Sequence, residues 1–310
     1  IPDSVTSLGY SAFYQCTGLS GVDFGSGLVG INNNTFYNCT SLSGIDIPDN
    51  ITYISYNAFY NCSSVEYLTL SNSLTWIGQN AFYNCSSFEE VILPESLVQI
   101  DQSAFLNCSS LTGVVIPDSV KIIGSSAVDS CGKLSGVAMG SGCTDIANYT
   151  FRDCVDLTGI ELSPNIESIG YNAFQNCHDL TGIEFTDALT GIYNYAFEDC
   201  RSLVDVIIPD TVTVVGDRAF SSCYSLENVE LSEGLLELES YVFYGCNSLS
   251  GISIPDSVTG IAVAAFMECT DLTGVNLGSG VVKIDGYSFR DCTGLIEVNF
   301  SGNNLKEIGQ

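Results

Sequence analysis

Thirteen cysteines recur every 23 residues, at Cys16, Cys39, Cys62, Cys85, Cys108, Cys131, Cys154, Cys177, Cys200, Cys223, Cys246, Cys269 and Cys292, and a fourteenth, Cys143, stands out of phase. Thiols at a fixed interval could form disulfides, ligate a metal or act as nucleophiles. Each chemistry needs something this spacing does not supply. Stacked turns of chain bring successive cysteines into the roughly 4.4–6.8 Å Cα range of a disulfide, but thirteen equivalent positions cannot all pair. Zinc sites use close pairs such as Cys-x-x-Cys together with histidines, whereas this chain has no such pair and one histidine, His178, on a polar stretch. A nucleophile needs a base, and the same lone His178 is the only imidazole available. Carboxylates abound but are repeated along the chain instead of being gathered at one place, and no Gly-x-Gly-x-x-Gly, Walker or His-Glu-x-x-His motif occurs. The expectation is a ladder of reduced, buried thiols in a protein that is not an enzyme, since cysteine behaves as a small core residue. Cys143 replaces the usual valine of its repeat and reads as core as well.

The elements that would hold such a ladder follow from the same period. Phenylalanine precedes each cysteine by three residues, from Phe13 to Phe105 and from Phe151 to Phe289, with Val128 the one exception. In phase, thirteen units run from Ile1 to Asn299, followed by a partial fourteenth, with apolar residues at positions 1, 5, 8, 13, 16, 19 and 22 and a small residue at 12. The stretch Leu-x-x-Val-x-Ile, from position 19 into the next unit, alternates as a strand does and ends in Pro-Asp or Gly-Ser, a turn. Positions 5–8 read as a second short extended piece, and Ala12-Phe13-x-x-Cys16 as a single helical or 3₁₀ turn. A unit this short cannot bury its own apolar face, so units must stack. Residues 1–310 are thus expected to form one solenoid domain. At about 4.8 Å per strand its thirteen strands would make about 60 Å of concave parallel sheet.

The recurrent Ile-Pro-Asp, Ala-Phe-x-x-Cys and Leu-x-x-Val motifs resemble the BspA-like, Treponema pallidum-type class of leucine-rich repeats along the whole chain. The resemblance implies a curved solenoid of the α/β leucine-rich-repeat type, mostly short strands, with short helical or 3₁₀ turns on the convex side. It also implies an extracellular or cell-surface protein of bacteria or some protists that adheres to host matrix or other cells, and it brings no catalytic residues. The asparagine ladder usual in leucine-rich repeats is absent from its ordinary position, which holds Ser4, Gly27, Asn50, Ser73, Ser96 and similar residues.

Charge narrows the partners. With 8 Lys plus Arg against 36 Asp plus Glu, the chain carries a formal −28, a surface that repels phosphate backbones and anionic lipid. No window approaches the roughly 20 apolar residues that span a bilayer. The chain opens without Met inside a repeat and stops partway through a unit, and is expected to be a piece of a longer protein. No cofactor is expected beyond weak surface calcium. Two sets of outward residues are the candidate contacts for a protein or glycan partner. One is the tyrosine row at position 14, Tyr14, Tyr37, Tyr60 and Tyr83. The other, on the concave strands, is Tyr67 with Asp23, Asp46, Glu161 and Glu184 among small residues, mainly glycine. For both sets the plainer readings stay open: rings that shield neighbouring coils, and a solvated sheet face. The functional expectation is a surface-exposed adhesion or protein-binding scaffold; the alternative is a structural subunit that self-associates into a filament or coat, bridged by cations across its acidic faces. Asn-x-Ser/Thr sequons occur at Asn33, Asn38, Asn50, Asn61, Asn84, Asn107, Asn148 and Asn299, with meaning only in a glycosylating host.

Overall fold

The computed structural model describes residues 1–309. The contacts divide into two units, Ile1–Ser163 and Pro164–Gln310, each a stack of 23-residue coils with two narrow runs of parallel strand.

In the first unit, positions 7 and 8 of successive coils pair as Gly30–Ile31, Tyr53–Ile54, Trp76–Ile77, Gln99–Ile100 and Ile122–Ile123, a five-stranded parallel sheet. Each partner is 23 residues on, so Ile31, Ile54, Ile77, Ile100 and Ile123 form one inward row, all buried. Around position 22, Gly44–Asp46 pairs with Tyr67–Thr69, and Gly113–Ile116 with Gly136–Met139 and then Gly159–Glu161. The expected unbroken concave sheet is therefore interrupted: at the coil between these groups only a bridge from Glu90 to Gly113 is formed.

The second unit repeats the plan. Ser168–Ile169, Gly191–Ile192 and Val214–Val215 pair in register, as do Glu237–Leu238, Gly260–Ile261 and Lys283–Ile284. Asp205–Ile207 pairs with Asn228–Glu230, and Gly251–Ser253 with Gly274–Leu277 and Glu297–Phe300. The partial fourteenth coil departs from the period: Lys283 lies against Glu307, 24 residues on.

The third side of each coil corrects the expected helical turn, for no helix occurs among the described residues. In the third coil, Ala58, Tyr60 and Cys62 donate their amides back to Ser55, Asn57 and Phe59, at 3.2 Å each. The amides between them go elsewhere. Asn57, Phe59 and Asn61 donate to the carbonyls of Gln79, Ala81 and Tyr83 in the next coil at 2.9, 2.8 and 2.7 Å. Alternate peptides thus close turns and tie coils. A helix would aim every amide along its own axis and leave none for the neighbour. The alternation is produced by positive φ at positions 11 and 15 of each coil, for example 54° at Asn57 and 56° at Asn61. That region is costly for most side chains and least so for Gly, Asn and Asp.

Two side-chain ladders follow. Nδ2 of Asn57 and of Asn80 each donates to Oδ1 of the asparagine one coil earlier at 3.0 Å. At position 15, Asn38, Asn61, Asn84 and Asn107 are linked in the same way. Asparagine ladders are therefore present, on this side of the coil and not at the usual position. Where asparagine does occupy the usual position, Asn50 donates to the Leu28 carbonyl at 2.5 Å. Four Asn-Cys-Ser/Thr sequons lie inside the position-15 ladder, so a glycan there would displace the amide stack.

Inside, the phenylalanines stack face to face, with centroids 5.2–5.5 Å apart from Phe13 to Phe105 in the first unit and 5.1–5.8 Å apart from Phe174 to Phe289 in the second. The cysteines are thiols. Cys62 Sγ donates to the Phe36 carbonyl of the preceding coil at 3.1 Å, and Cys85 to that of Phe59 at 3.1 Å. The Phe36 carbonyl also accepts the Cys39 amide at 3.2 Å. A thiol is thus small and apolar enough for the core and still fills the carbonyl's second lone pair. Cys143, also buried, donates to the Val120 carbonyl at 3.3 Å.

Burial pushes the Cys39 and Cys143 thiols up to about 11 and those of Cys85 and Cys131 to about 12, from an ordinary 9.0. Unfolded, these groups ionise near pH 9; folded, they keep their protons to pH 11–12. Their contribution to stability is complete below pH 9 and is lost as pH rises through the folded values. A melting temperature that falls steeply above pH 9 is the expected result of thermal scans from pH 8 to 11. At pH 8, Cys16, which is exposed, should alkylate well before the buried thiols.

Candidate binding surface

Outward positions on the strands near position 22 form the first unit's strand face. Tyr67 is the large aromatic there, and its ring lies over Gly44, where a Cβ would come within 2.0 Å of the ring. Glycine at 44 is what lets the tyrosine lie flat, with one side exposed to solvent. Asp46 is exposed and faces Thr69 in register, next to Tyr67, so the structure brings two of the candidate residues together. Asp23 is exposed on the first coil, and Glu161 ends the last strand of this face. Glu184 is exposed in the second unit.

From the sequence this face is expected to be smooth and built of small residues. Two of its outward residues instead form a strip of large apolar side chains: Ile92 is 85% exposed and Val115 67%, and Val115 stands in register with Ala138. Beside the strip, Gly136 and Gly159 have open space where a side chain would project, and at Gly113 a Cβ would meet only the Gly136 carbonyl, at 3.8 Å. Glu66, Glu89 and Glu90 are all exposed around it. β-Branched residues at position 23 of two consecutive coils were the available signal, because that position points outward. Apolar strip, open backbone and carboxylates together suit an extended segment with alternating apolar and basic residues.

Position 14 behaves differently. Tyr14, Tyr37, Tyr60 and Tyr83 stack with centroids 4.7, 4.6 and 4.5 Å apart and planes within 11°. Ring faces are spent on one another, and Tyr37, Tyr60 and Tyr83 are half-buried. This leaves the row an edge of hydroxyls. Burial, followed by the neighbouring Tyr83, pushes the Tyr60 phenol up. Further along the same position the row turns ionic: Asp129, fully buried, takes Arg152 at 2.6 Å.

A second aromatic group, not singled out by sequence, lies on the outer face of the five-stranded sheet. Trp76 has Tyr53 at 6.4 Å and Tyr56 edge-on at 5.5 Å. The signal was the chain's lone tryptophan at an outward position.

In the second unit a polar cleft of about 810 Å³ runs over Asn228, Glu230, Ser253, Asn276 and Glu297. His178 contacts Asp199 at 3.1 Å, and Arg201 holds the same carboxylate at 2.8 Å. The imidazole is thereby tied into an ion cluster, and the nearby Cys200 thiol is turned inward to the Phe174 carbonyl. Among the described residues no set of three His, Cys, Asp or Glu side chains is arranged to hold a metal ion, and no helix is long and apolar enough to cross a membrane.

Comparison with known proteins places these features in context. The model of the BspA type leucine-rich repeat region matches residues 1–92, 75–204 and 190–310. A leucine-rich repeat protein from Bacteroides ovatus superposes with a TM-score of 0.90 at 31% identity, over 98% of this chain and 78% of that one. A leucine-rich cell surface protein from Faecalibacterium prausnitzii shares 30% identity over 84% of this chain and 80% of its own, with a TM-score of 0.54. A leucine-rich repeat protein from Eubacterium ventriosum, 19% identical, shares the fold with a TM-score of 0.63 over 94% of this chain and 81% of its own. No curated protein matches the chain by sequence.

Proposed function

From a chain that belongs to the BspA-type leucine-rich repeat family, we propose a protein-binding scaffold displayed at a cell surface, non-enzymatic, whose recognition element is the strand face of the first unit. The carrying observation is the exposed set Tyr67, Ile92 and Val115 standing among Asp46, Glu66, Glu89 and Glu90. Soluble proteins seldom leave successive large apolar side chains this open without a partner for them. A surface description attaches to the Faecalibacterium relative, and adhesion to matrix proteins is the role this reading favours. The acidic field selects the partner. Arg152, Arg201, Lys283 and Arg290 are each paired to a neighbouring carboxylate, so the −28 is felt outward and steers basic surfaces in.

The test is binding of the chain to immobilised extracellular matrix proteins, read by biolayer interferometry at two salt concentrations. Ile92→Lys and Val115→Lys should each weaken a measured interaction by about tenfold or more, with on-rates that fall as salt rises. Both side chains are exposed, so melting curves should stay near that of the parent. Variants that remain folded and bind as the parent does would sink the assignment of this face.

A further inference from the structure

Trp76, the only tryptophan in the chain, stands on a different face, in register between Tyr53 and Gln99. Its indole N–H donates to Asp101 Oδ2 at 2.9 Å, and Gln99 Nε2 donates to Asp101 Oδ1 at 2.5 Å. The Tyr53 hydroxyl donates to Asn32 Oδ1 at 3.1 Å, and its ring lies over Gly30, where a Cβ would come within 2.2 Å of it. Three rings are thus fixed in place beside a border of planar amides and one carboxylate. Tyr56 is 45% exposed, and Trp76, Tyr53, Gln99 and Asp101 are half-buried.

The charge of this patch sets it apart. Residues 29–33, 52–56, 75–79 and 98–102, which make up this face over four coils, include a single charged side chain, Asp101. Both of its oxygens are already engaged. In a chain of net −28 a basic ligand is drawn to other faces, and an anionic one is repelled by the whole molecule. A purely apolar ligand would cover the polar edges of these amides, each already holding a partner, without offering further hydrogen bonds. What remains is an uncharged ligand with alternating apolar and hydroxyl surfaces. A pyranose has these: its C–H face packs on an aromatic ring, while adjacent hydroxyls pair with the donors and acceptors of side-chain amides.

We propose that the Tyr53–Tyr56–Trp76 patch binds a neutral glycan, at a site separate from the strand face. Trp76 makes the test direct, because tryptophan emission from this chain reports on this patch alone. Linear neutral oligosaccharides of glucose, mannose and N-acetylglucosamine are titrated up to about 10 mM while emission is followed. At least one should give a saturable change. Tyr56→Ser, which alters an exposed ring outside the core, should weaken it about tenfold, and Ile92→Lys on the strand face should leave it unchanged. No saturable change with any of the three sugars overturns the proposal, as does an unchanged affinity in a folded Tyr56→Ser variant.

Discussion

Phe197→Ala lowers the free energy of unfolding by about 3–5 kcal/mol, read as a lower denaturant midpoint. The ring is fully buried, stacked on Phe174 at 5.1 Å and on Phe220 at 5.2 Å with planes within 6°. Deleting it removes the largest fully buried side chain of its coil and two stacking contacts. The hole cannot close easily, because the backbone is pinned on both sides: Phe174 donates to the Ala196 carbonyl at 2.7 Å and Phe197 to that of Ala219 at 2.8 Å. Coils contact their neighbours only, so amide exchange should accelerate first around Phe174, Phe197 and Phe220. A loss below about 1 kcal/mol would place the ring outside the core and overturn the inward phase of the repeat.

The second large effect concerns backbone conformation. Asn84 has φ 57°, and its side chain links Asn61 to Asn107 in the position-15 ladder. Asn84→Val places a β-branched residue in the left-handed region, at roughly 1–2 kcal/mol, and removes both ladder bonds, at roughly 0.5–1.5 kcal/mol each. The expected loss is about 2–5 kcal/mol by chemical denaturation. Asn84→Gly keeps the conformation and loses only the ladder, so it should fall between parent and valine variant. Valine equal to glycine would mean that the positive φ is not required in solution.

How much of this could be read in advance depends on how local the cause is. The inward set, the thiol ladder and the Cys143 substitution were legible because each is fixed by one position in a strict period. The turn side was misjudged because Ala-Phe-x-x-Cys has the same three-residue spacing whether the turns continue into a helix or alternate with positive φ. Position 15 carried the discriminating signal, since Asn38, Asn61, Asn84, Asn107, Asp153, Asn176, Asp199 and Asp291 all tolerate the left-handed region. Position 11 obscured it, with Tyr149, Tyr195, Tyr241 and Tyr287 bearing the same conformation. At the candidate surface, Tyr67 and Asp46 were visible as outward residues. The flat lie of Tyr67 was not, because it depends on Gly44 one coil earlier. The Trp76 group was hidden for the same reason: it joins side chains from different coils, and a one-dimensional pattern does not say which rings meet.

The alternation of amides on the turn side also limits how a gene for such a protein can change. One residue added between positions 11 and 15 would put the turn-side amides that follow it out of step, so that those tying coils together would close turns, and the reverse. The described register slip, at Glu307, falls outside that stretch, in the partial coil after Phe300. Length is therefore quantised: such a chain can lengthen by copying whole 23-residue units, while single-codon insertions are tolerated only at the corners between its sides.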